Sequence, residues 1–209
     1  MKVRGFADTI DWYDQNAEEY AEATYAKPPY DLLDQFIGLL PNNPKILDAG
    51  CGGGRDTGLL AAKGAVVTGL DISQGLLKEA KKRNPESAFV YGNFLDIPFD
   101  DAFFDGVWAH AALVHLESVE DVKKSLREFY RVLRNKGLLH LYVKRQTGKE
   151  KTEVVKDTLS NHERFFRYYT EEEIKNYLHE VSFKIKDFAI RQDPHGRKEI
   201  KWISLFAEK

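Results

Sequence analysis

The stretch that decides the fold is KILDAGCGGGRD, residues 45–56, in which a short apolar run meets four glycines within five positions. The apolar run predicts a buried strand, and a helical pattern begins after the glycines. Glycine loses the most conformational freedom on folding and adds nothing to a core, so a glycine cluster needs another purpose. We expect this loop to offer unpaired backbone N–H groups and to let a ligand approach the backbone closely.

Strands and helices alternate on both sides of this loop. The pattern predicts helices over 30–40, 57–63, 73–83, 118–133 and 170–180, and strands over 45–47, 65–72, 87–92, 104–109 and 138–143. Such alternation implies right-handed crossovers and a parallel sheet. Two further strand-like runs, 183–190 and 200–207, are separated by turn-forming residues and predict an antiparallel hairpin. We therefore predict an α/β fold: a doubly wound, mainly parallel seven-stranded sheet with an antiparallel C-terminal hairpin.

Capping signals mark the ends of two helices. Ser118 can cap the helix that follows it, and the sequence NKG at 135–137 is a plausible end for that helix. Thr170 with Glu173 forms a capping-box pattern. The long polar connection 144–169 contains aromatic residues, and we expect some helix within it.

Composition excludes several functional classes. The 209 residues are 43% hydrophobic and 31% charged, with a formal net charge of -2 and interleaved signs, which fits one globular domain and gives no basic block for nucleic acid. A single cysteine, Cys51, excludes an internal disulfide. The sequence shows neither a secretory leader nor an apolar run of membrane-spanning length, so we expect a cytoplasmic protein without a membrane partner. Nothing in the sequence indicates an oligomeric state.

An acidic residue is placed to work with the glycine loop. Asp71 ends the second predicted strand, about twenty residues after the loop, where a carboxylate can accept hydrogen bonds from both hydroxyls of a ribose. A dinucleotide fingerprint would be G-x-G-x-x-G, but counting from Gly50 and Gly52 puts Arg55 at the third glycine position. A nicotinamide-dependent oxidoreductase is therefore the weaker interpretation. A tight turn beside a surface strand end remains the purely structural alternative.

Four motifs in order carry a family resemblance: ILDAGCGGGRDT at 46–57, GLDIS at 69–73, GNFLDIPF at 92–99 and FDGVWAHAALVHL at 104–116. Together they resemble the motifs of class I S-adenosylmethionine-dependent methyltransferases, from about Lys45 to Val143. The resemblance implies a Rossmann-like methyltransferase fold, S-adenosyl-L-methionine as the cofactor and a transferase activity. No Asn-Pro-Pro-Tyr-type motif follows the fourth strand, which argues against amino-methylation of DNA or glutamine.

The resemblance also implies roles for individual residues. Asp48, Gly50, Gly52 and Gly54 would surround the methionine portion of the cofactor. Asp71 would bind the ribose hydroxyls, Ile72 and Phe94 would lie by the adenine, and Asn93 would accept from its amino group in place of the family's usual aspartate. Ala109 and His110 would offer a backbone carbonyl to the cofactor's amino group. Arg55 would either reach the methionine carboxylate or pair with Asp56.

The resemblance divides the single methyltransferase domain, 1–209, into four segments. These are an N-terminal helical lid (1–43), the cofactor-binding core (44–143), an acceptor-side cap (144–169), and the last helix with the C-terminal strands (170–209). Tyr20 is the best candidate for a lid residue that covers the cofactor, whereas ordinary packing is favoured for Tyr13 and Tyr25. The cluster RFFRYY at 164–169 would either bind the acceptor or fasten the cap to the sheet.

Two histidines are weak candidates for a catalytic base. His110 and His115 both follow the fourth strand, although a structural role is favoured for each. Their i, i+5 spacing does not put both side chains on one face of a helix, and we predict no metal site. Cys51 has no base tied to it and is interpreted as a small loop residue.

The sequence therefore predicts methyl transfer to a small-molecule acceptor, achieved mainly by positioning for in-line displacement. A protein that binds S-adenosylmethionine without turnover is the alternative, and nicotinamide-dependent oxidation is less favoured. No nucleic-acid partner is expected. The acceptor atom is not identified.

Overall fold

The structure, a computed structural model, describes residues 6–26, 29–156 and 163–209. Its helices are α1 (Phe6–Gln15), α2 (Ala17–Tyr25), α3 (Tyr30–Gly38), α4 (Arg55–Ala62), α5 (Gln74–Arg83), α6 (Val119–Val132) and α7 (Glu171–Glu180), with a 3₁₀ turn at Leu113–His115. Its strands are β1 (Lys45–Ala49), β2 (Val66–Asp71), β3 (Ala88–Tyr91), β4 (Phe104–His110), β5 (Leu133–Lys144), β6 (Thr152–Lys156), β7 (Glu163–Arg167), β8 (Lys184–Gln192) and β9 (Lys201–Glu208).

Seven strands form the main sheet in the order β3-β2-β1-β4-β5-β9-β8. The first five in this order pair in parallel, and β9 pairs antiparallel with both β5 and β8. The predicted doubly wound sheet with an antiparallel C-terminal hairpin is confirmed. Because parallel strands end at the same edge, this topology brings the C-terminal ends of β1, β2, β4 and β5 together. This edge is called the carboxyl edge of the sheet below.

The core forms on the central strands, which are apolar on both faces as expected for strands covered on two sides. Trp108 of β4 is fully buried and packs edge-on against Phe36 of α3, with 5.2 Å between ring centroids. Phe36 also stacks on Phe206 of β9 at 6.0 Å. These rings tie α3 to the centre of the sheet and hold the middle strands rigidly beneath the carboxyl edge.

Two capping predictions agree with the structure. The Ser118 hydroxyl accepts a hydrogen bond from the Asp121 N–H at 2.9 Å, and Thr170 and Glu173 form a complete capping box. The predicted end of α6 at residue 133 agrees with the structure to one residue, but the NKG sequence is not its stop, because the chain enters β5 directly at Leu133. The NKG residues instead form an irregular turn within that strand, where Lys136 has a φ of 65°.

The connection 144–169 differs from its prediction of helix. Its described residues contain no helix and form β6 and β7, which pair antiparallel as a separate two-stranded sheet. Residues 157–162 of this connection lie outside the described part of the chain. Phe165 and Phe166 are adjacent and both buried, so neither face of β7 is solvated and the strand lacks the alternation that would have predicted it. This small sheet is called the hairpin sheet below.

Candidate cofactor and active site

The glycine loop lies at the carboxyl edge, between β1 and α4, and its backbone amides are mostly engaged by the protein. The N–H groups of Gly50 and Cys51 both donate to the Leu70 carbonyl, at 2.8 and 3.1 Å. The Gly52 N–H donates to Asp71 Oδ2 at 2.8 Å. The expectation of a row of unpaired amides is therefore wrong, because the end of β2 supplies acceptors to the loop before any ligand can.

The glycines of the loop have different surroundings. A Cβ atom added at Gly50 would lie 2.7 Å from the Cβ of Ala112, and one added at Gly53 would lie 2.5 Å from the Cβ of Ala21. At Gly54 it would lie 2.9 Å from Ala80, whereas at Gly52 it would meet nothing within 4 Å. Three of these glycines thus permit close packing of the chain, and Gly52 is the one that faces open space.

Asp71 links the glycine loop to the next helix. Its second oxygen accepts the Ser73 N–H at 2.9 Å, so each carboxylate oxygen already holds one backbone amide. Each oxygen keeps a further lone pair. Burial raises the pKa of Asp71, and the backbone hydrogen bonds oppose that rise. Ile72 follows and is half-buried.

Two carboxylates lie beneath the loop. Asp48 is buried and accepts from the Thr57 hydroxyl at 2.6 Å. Asp56 accepts from Arg55 Nε at 2.6 Å and from Trp108 Nε1 at 2.9 Å. Burial and the neighbouring Asp56 charge raise the pKa of Asp48. For Asp56, burial is outweighed by the Arg55 charge together with the hydrogen bonds from Arg55 and Trp108, and the pKa is lowered. Of the two roles expected for Arg55, the structure contains the pair with Asp56.

The residues expected near the adenine lie between β3 and β4. The Asn93 Oδ1 accepts the Leu95 N–H at 2.9 Å, which leaves that oxygen one lone pair. Phe94 is buried with its ring 6.2 Å from Phe129, so it belongs to the core as well as to the loop. Ala109 is fully buried in β4. Asn93 and Phe94 lie at the same carboxyl edge as Asp71, because β2 and β3 are neighbours.

His110 ends β4 inside a stack of aromatic side chains. Its ring lies parallel to that of Tyr142 with 4.3 Å between centroids, and its Nδ1 is 3.2 Å from Nε2 of His140. Burial lowers the pKa of His110 to about 4, so the imidazole is neutral at pH 7. The next residue, Ala111, has a φ of 59°, and this left-handed turn takes the chain away from the sheet.

His115 is held by contacts to two other segments. Its Nδ1 lies 2.8 Å from the Phe165 carbonyl, which can only accept, so Nδ1 carries the proton. Nε2 is then an acceptor for the Tyr13 hydroxyl at 3.0 Å, and Tyr13 in turn accepts from Arg164 Nη1 at 2.8 Å. Both ring nitrogens are occupied, which favours the structural role for His115. Burial, reinforced by the Arg164 charge, lowers its pKa to about 3.

The N-terminal helices lie over the loop and contact the hairpin sheet. Tyr20 packs against Tyr13 with 4.9 Å between ring centroids, and the Arg164 guanidinium lies 5.6 Å from the Tyr20 centroid. Arg164 also lies over Trp12 at 5.1 Å and Phe166 at 5.3 Å. A cation surrounded by aromatic faces thus joins α1 and α2 to β7. The Tyr13, His115 and Arg164 hydrogen bonds together with these rings are called the latch below.

Sequence reasoning missed one residue that fixes the N-terminal helices. Asp14 Oδ1 accepts from the Ser73 hydroxyl at 2.6 Å and from the Gly75 N–H at 2.8 Å, so α1 supplies an anion to the N-terminus of α5. Arg55 Nη1 likewise donates to the Thr24 carbonyl of α2 at 3.1 Å. No local signal predicts these contacts, because the partners are separated by 59 and 31 residues.

The described residues contain neither a metal-ligand cluster nor a membrane-spanning helix. Within residues 6–26, 29–156 and 163–209, no group of three or more histidine, cysteine or acidic side chains is arranged to hold a metal ion. In the same ranges, no helix has the length and apolar character needed to cross a bilayer.

Known methyltransferases are similar to this chain in sequence. The methyltransferase domain family matches residues 47–141. Sterol 24-C-methyltransferase ERG6B of Gibberella zeae is 38% identical over 117 residues, which cover 53% of this chain and 30% of that protein. The 27-O-demethylrifamycin SV methyltransferase of Amycolatopsis mediterranei is 33% identical over 150 residues, covering 65% of this chain and 54% of that protein. The chain therefore spans at most about half the length of these two relatives.

A solved structure shows the same fold over nearly the whole chain. The 1,6-didemethyltoxoflavin-N1-methyltransferase of Burkholderia thailandensis, solved with 1,6-didemethyltoxoflavin and S-adenosylhomocysteine, superposes with a TM-score of 0.75. It is 21% identical, and the match covers 98% of this chain and 86% of that one. These findings show that residues 47–141 are similar to a methyltransferase domain and that the whole chain has the fold of a methyltransferase solved with S-adenosylhomocysteine.

Proposed function

We propose that this protein binds S-adenosylmethionine at the glycine loop and transfers its methyl group to a small-molecule acceptor. The observation that carries the proposal is the open space at Gly52 beside Asp71, whose two oxygens each retain a lone pair. A nucleoside-bearing ligand fits this arrangement, because its ribose hydroxyls can donate to Asp71 while its amino-acid portion approaches the backbone at Gly52.

The remaining cofactor contacts follow from position at the carboxyl edge. Asn93 and Phe94 would contact the adenine together with Ile72, and the carbonyls of Ala109 and His110 would receive the amino group. Asp48, Gly50 and Gly54 would hold the loop in shape from beneath, and Tyr20 of the lid would cover the cofactor. Arg55 would connect the start of α4 to α2, through its ion pair with Asp56 and its hydrogen bond to the Thr24 carbonyl.

The charge around the loop favours a cationic cofactor over a dinucleotide. Asp56 lies in the first turn of α4, where its carboxylate already meets the positive end of the helix dipole. A pyrophosphate needs free amides and an unoccupied helix N-terminus, but the amides of Gly50, Cys51 and Gly52 have protein acceptors. The ammonium and sulfonium of S-adenosylmethionine suit such a site, whereas the phosphates of a nicotinamide cofactor do not.

Catalysis in this proposal rests on positioning. When bound, S-adenosylmethionine supplies a methyl group on a sulfonium, which an acceptor lone pair can take by in-line displacement. The chain's part is to hold the acceptor at the carboxyl edge and to exclude water beneath the latch. His110 at the end of β4 would be the candidate base for an acceptor that must lose a proton, but its pKa of about 4 makes it a weak base at pH 7. His115 would position the hairpin sheet.

A small-molecule acceptor is supported by the relatives. Their names specify a sterol, a rifamycin and a toxoflavin precursor as the molecules they act on. The segments 1–43 and 144–169 would form the lid and the acceptor-side cap of one methyltransferase domain, with 44–143 as its core and 170–209 completing the sheet.

Turnover tests this function. The chain is incubated with methyl-labelled S-adenosylmethionine and a panel of hydroxylated and amino aromatic compounds, sterols and carboxylic acids, and the release of S-adenosylhomocysteine is measured. The proposal predicts acceptor-dependent release for at least one compound. Tight binding of S-adenosylmethionine with no release across the panel would favour a protein that binds the cofactor without turnover.

A further inference from the structure

Two polar side chains of β5 lie buried on the same face of the sheet without polar partners. Tyr142 and Lys144 are two residues apart, so both point to one face with their Cα atoms roughly 7 Å apart. Each is 5% exposed. Within the described ranges 6–26, 29–156 and 163–209, the Lys144 ammonium forms no ion pair and the Tyr142 hydroxyl forms no hydrogen bond.

Both groups are surrounded by aromatic rings at the carboxyl edge. The Lys144 ammonium lies 3.4 Å from the centroid of Phe166 and 5.8 Å from that of Trp202. Tyr142 is stacked between His110 at 4.3 Å and Trp202 at 4.8 Å. Because His110 ends β4, this aromatic wall adjoins the place where the methyl acceptor has to lie.

Neighbouring charges do not neutralise Lys144. Asp193 is the acceptor for Arg197 and for Trp202 Nε1, and Glu153 accepts from the Tyr168 hydroxyl. Burial, followed by the charges of Arg197 and Arg164, lowers the pKa of Lys144 to about 8, and Asp193 and Glu153 offset this only in part. An ammonium with so little contact with solvent and no anion is costly. The backbone of Lys144 is held in place because the Tyr169 N–H donates to the Lys144 carbonyl at 2.9 Å.

We propose that Lys144 and Tyr142 bind an anionic oxygen of the methyl acceptor, so that the acceptor is a small acid, a carboxylate or an ionised hydroxyl compound, with an apolar body. This inference rests on the proposed function and names its substrate class. The Lys144 ammonium, which has no protein anion beside it, pairs with the anionic oxygen of the acceptor. The Tyr142 hydroxyl donates a second hydrogen bond to that oxygen, and the rings of Phe166 and Trp202 contact the apolar body.

Paired probes test the inference without requiring the true acceptor. Protein saturated with S-adenosylhomocysteine is titrated calorimetrically with three carboxylates and their uncharged amides: benzoate and benzamide, cinnamate and cinnamamide, octanoate and octanamide. At least one acid is expected to bind tenfold or more tightly than its amide. Equal binding of acid and amide in all three pairs would overturn the inference.

Variants test whether Lys144 and Tyr142 cause the preference for the acid over the amide. Lys144→Met is expected to remove the preference for the acid and Lys144→Arg to retain most of it, while S-adenosylhomocysteine binds within twofold of the wild type. Tyr142→Phe keeps the stacking and is expected to weaken the acid threefold or more. Lys151→Met, at an exposed lysine paired with Glu173, is the matched control and should change nothing.

The outcomes separate the two proposals. If thermal unfolding shows that Lys144→Met is not folded, Lys144→Gln is used instead. An acid preference that survives the loss of the Lys144 charge would overturn the inference alone. Failure of the wild-type chain to bind S-adenosylhomocysteine would overturn the proposed function, and this inference with it.

Discussion

At the scale of single residues, Asp71 has two tasks, because it holds the glycine loop and is the proposed ribose acceptor. Asp71→Ala is expected to weaken S-adenosylhomocysteine binding by roughly 2–3 kcal/mol through lost charge-assisted hydrogen bonds. The free energy of unfolding should fall by about 2 kcal/mol, because the Gly52 and Ser73 amides lose their acceptor. Calorimetry and urea denaturation measure the two effects, with the exposed Asp100→Ala as control. Unchanged affinity in a folded Asp71→Ala protein would show that the ribose lies elsewhere.

Gly52 and Gly53 form a matched pair with opposite expectations. Gly52→Ala costs about 1–2 kcal/mol of stability because its φ is 53°, and its methyl group would enter the open space proposed for the cofactor. S-adenosylhomocysteine binding should fall at least tenfold. Gly53→Ala should instead displace α2, because the new Cβ would lie 2.5 Å from that of Ala21. Thermal unfolding and calorimetry on both variants check this, and equal effects on affinity would contradict the assignment of Gly52.

His115 makes stability depend on pH in a defined direction. Its pKa is about 3 in the folded chain and near 6.5 when unfolded, so below pH 6.5 the unfolded chain takes up the proton first. The free energy of unfolding therefore falls as the solution is acidified, by up to about 1.4 kcal/mol per pH unit for this one group. Urea denaturation from pH 7 to 4.5 should give His115→Gln a flatter profile than the wild type. Parallel profiles would mean that His115 is protonated in the folded chain.

Some of these residue contacts were predictable from the sequence and others were not. The pairing of the glycine loop with Asp71 was predictable, because both lie next to strands of recognisable pattern. Which glycine faces open space was not predictable, because Gly50 and Gly53 are required by Ala112 and Ala21, which other elements bring to the loop. Lys144 was missed for the same reason, since its rings come from β7 and β9.

At the scale of elements, the latch joins α1 to the hairpin sheet. Tyr13→Phe removes the hydrogen bonds to His115 and Arg164 and is expected to destabilise this contact by about 1–3 kcal/mol. Hydrogen exchange should then speed up in α1 and β7 while the amides of β1 and β4 stay protected. Tyr30→Phe, at a half-exposed tyrosine of α3, serves as control. Uniform acceleration across the sheet would indicate that Tyr13 supports the whole fold and not a lid.

The elements themselves were predictable to different degrees. The alternating helices and strands of the core and the capping box of α7 follow from local patterns, and the structure contains them. The hairpin sheet did not follow, because both faces of β7 are buried against other segments and its residues show no alternation. The stop signal of α6 was misidentified although its end was not, because the left-handed residue, Lys136, belongs to a turn inside β5 and not to a helix cap.

At the scale of the whole molecule, the sheet order gathers the proposed functions at one edge. The end of β1 leads into the glycine loop, β2 ends at Asp71, β4 ends at His110 and β5 ends at Lys144. Cofactor and acceptor sites would therefore lie side by side, with the cofactor over β1 and β2 and the acceptor over β4 and β5. Helix α1 and the hairpin sheet are joined by the latch above this edge, so they would cover both proposed ligand sites together.

Calorimetry measures directly whether the glycine loop and Asp71 bind S-adenosylmethionine. The wild-type chain is titrated calorimetrically with S-adenosylhomocysteine and, separately, with NAD. We expect S-adenosylhomocysteine to bind with a Kd on the order of micromolar and NAD to give no measurable heat. Binding of NAD without binding of S-adenosylhomocysteine would contradict this expectation.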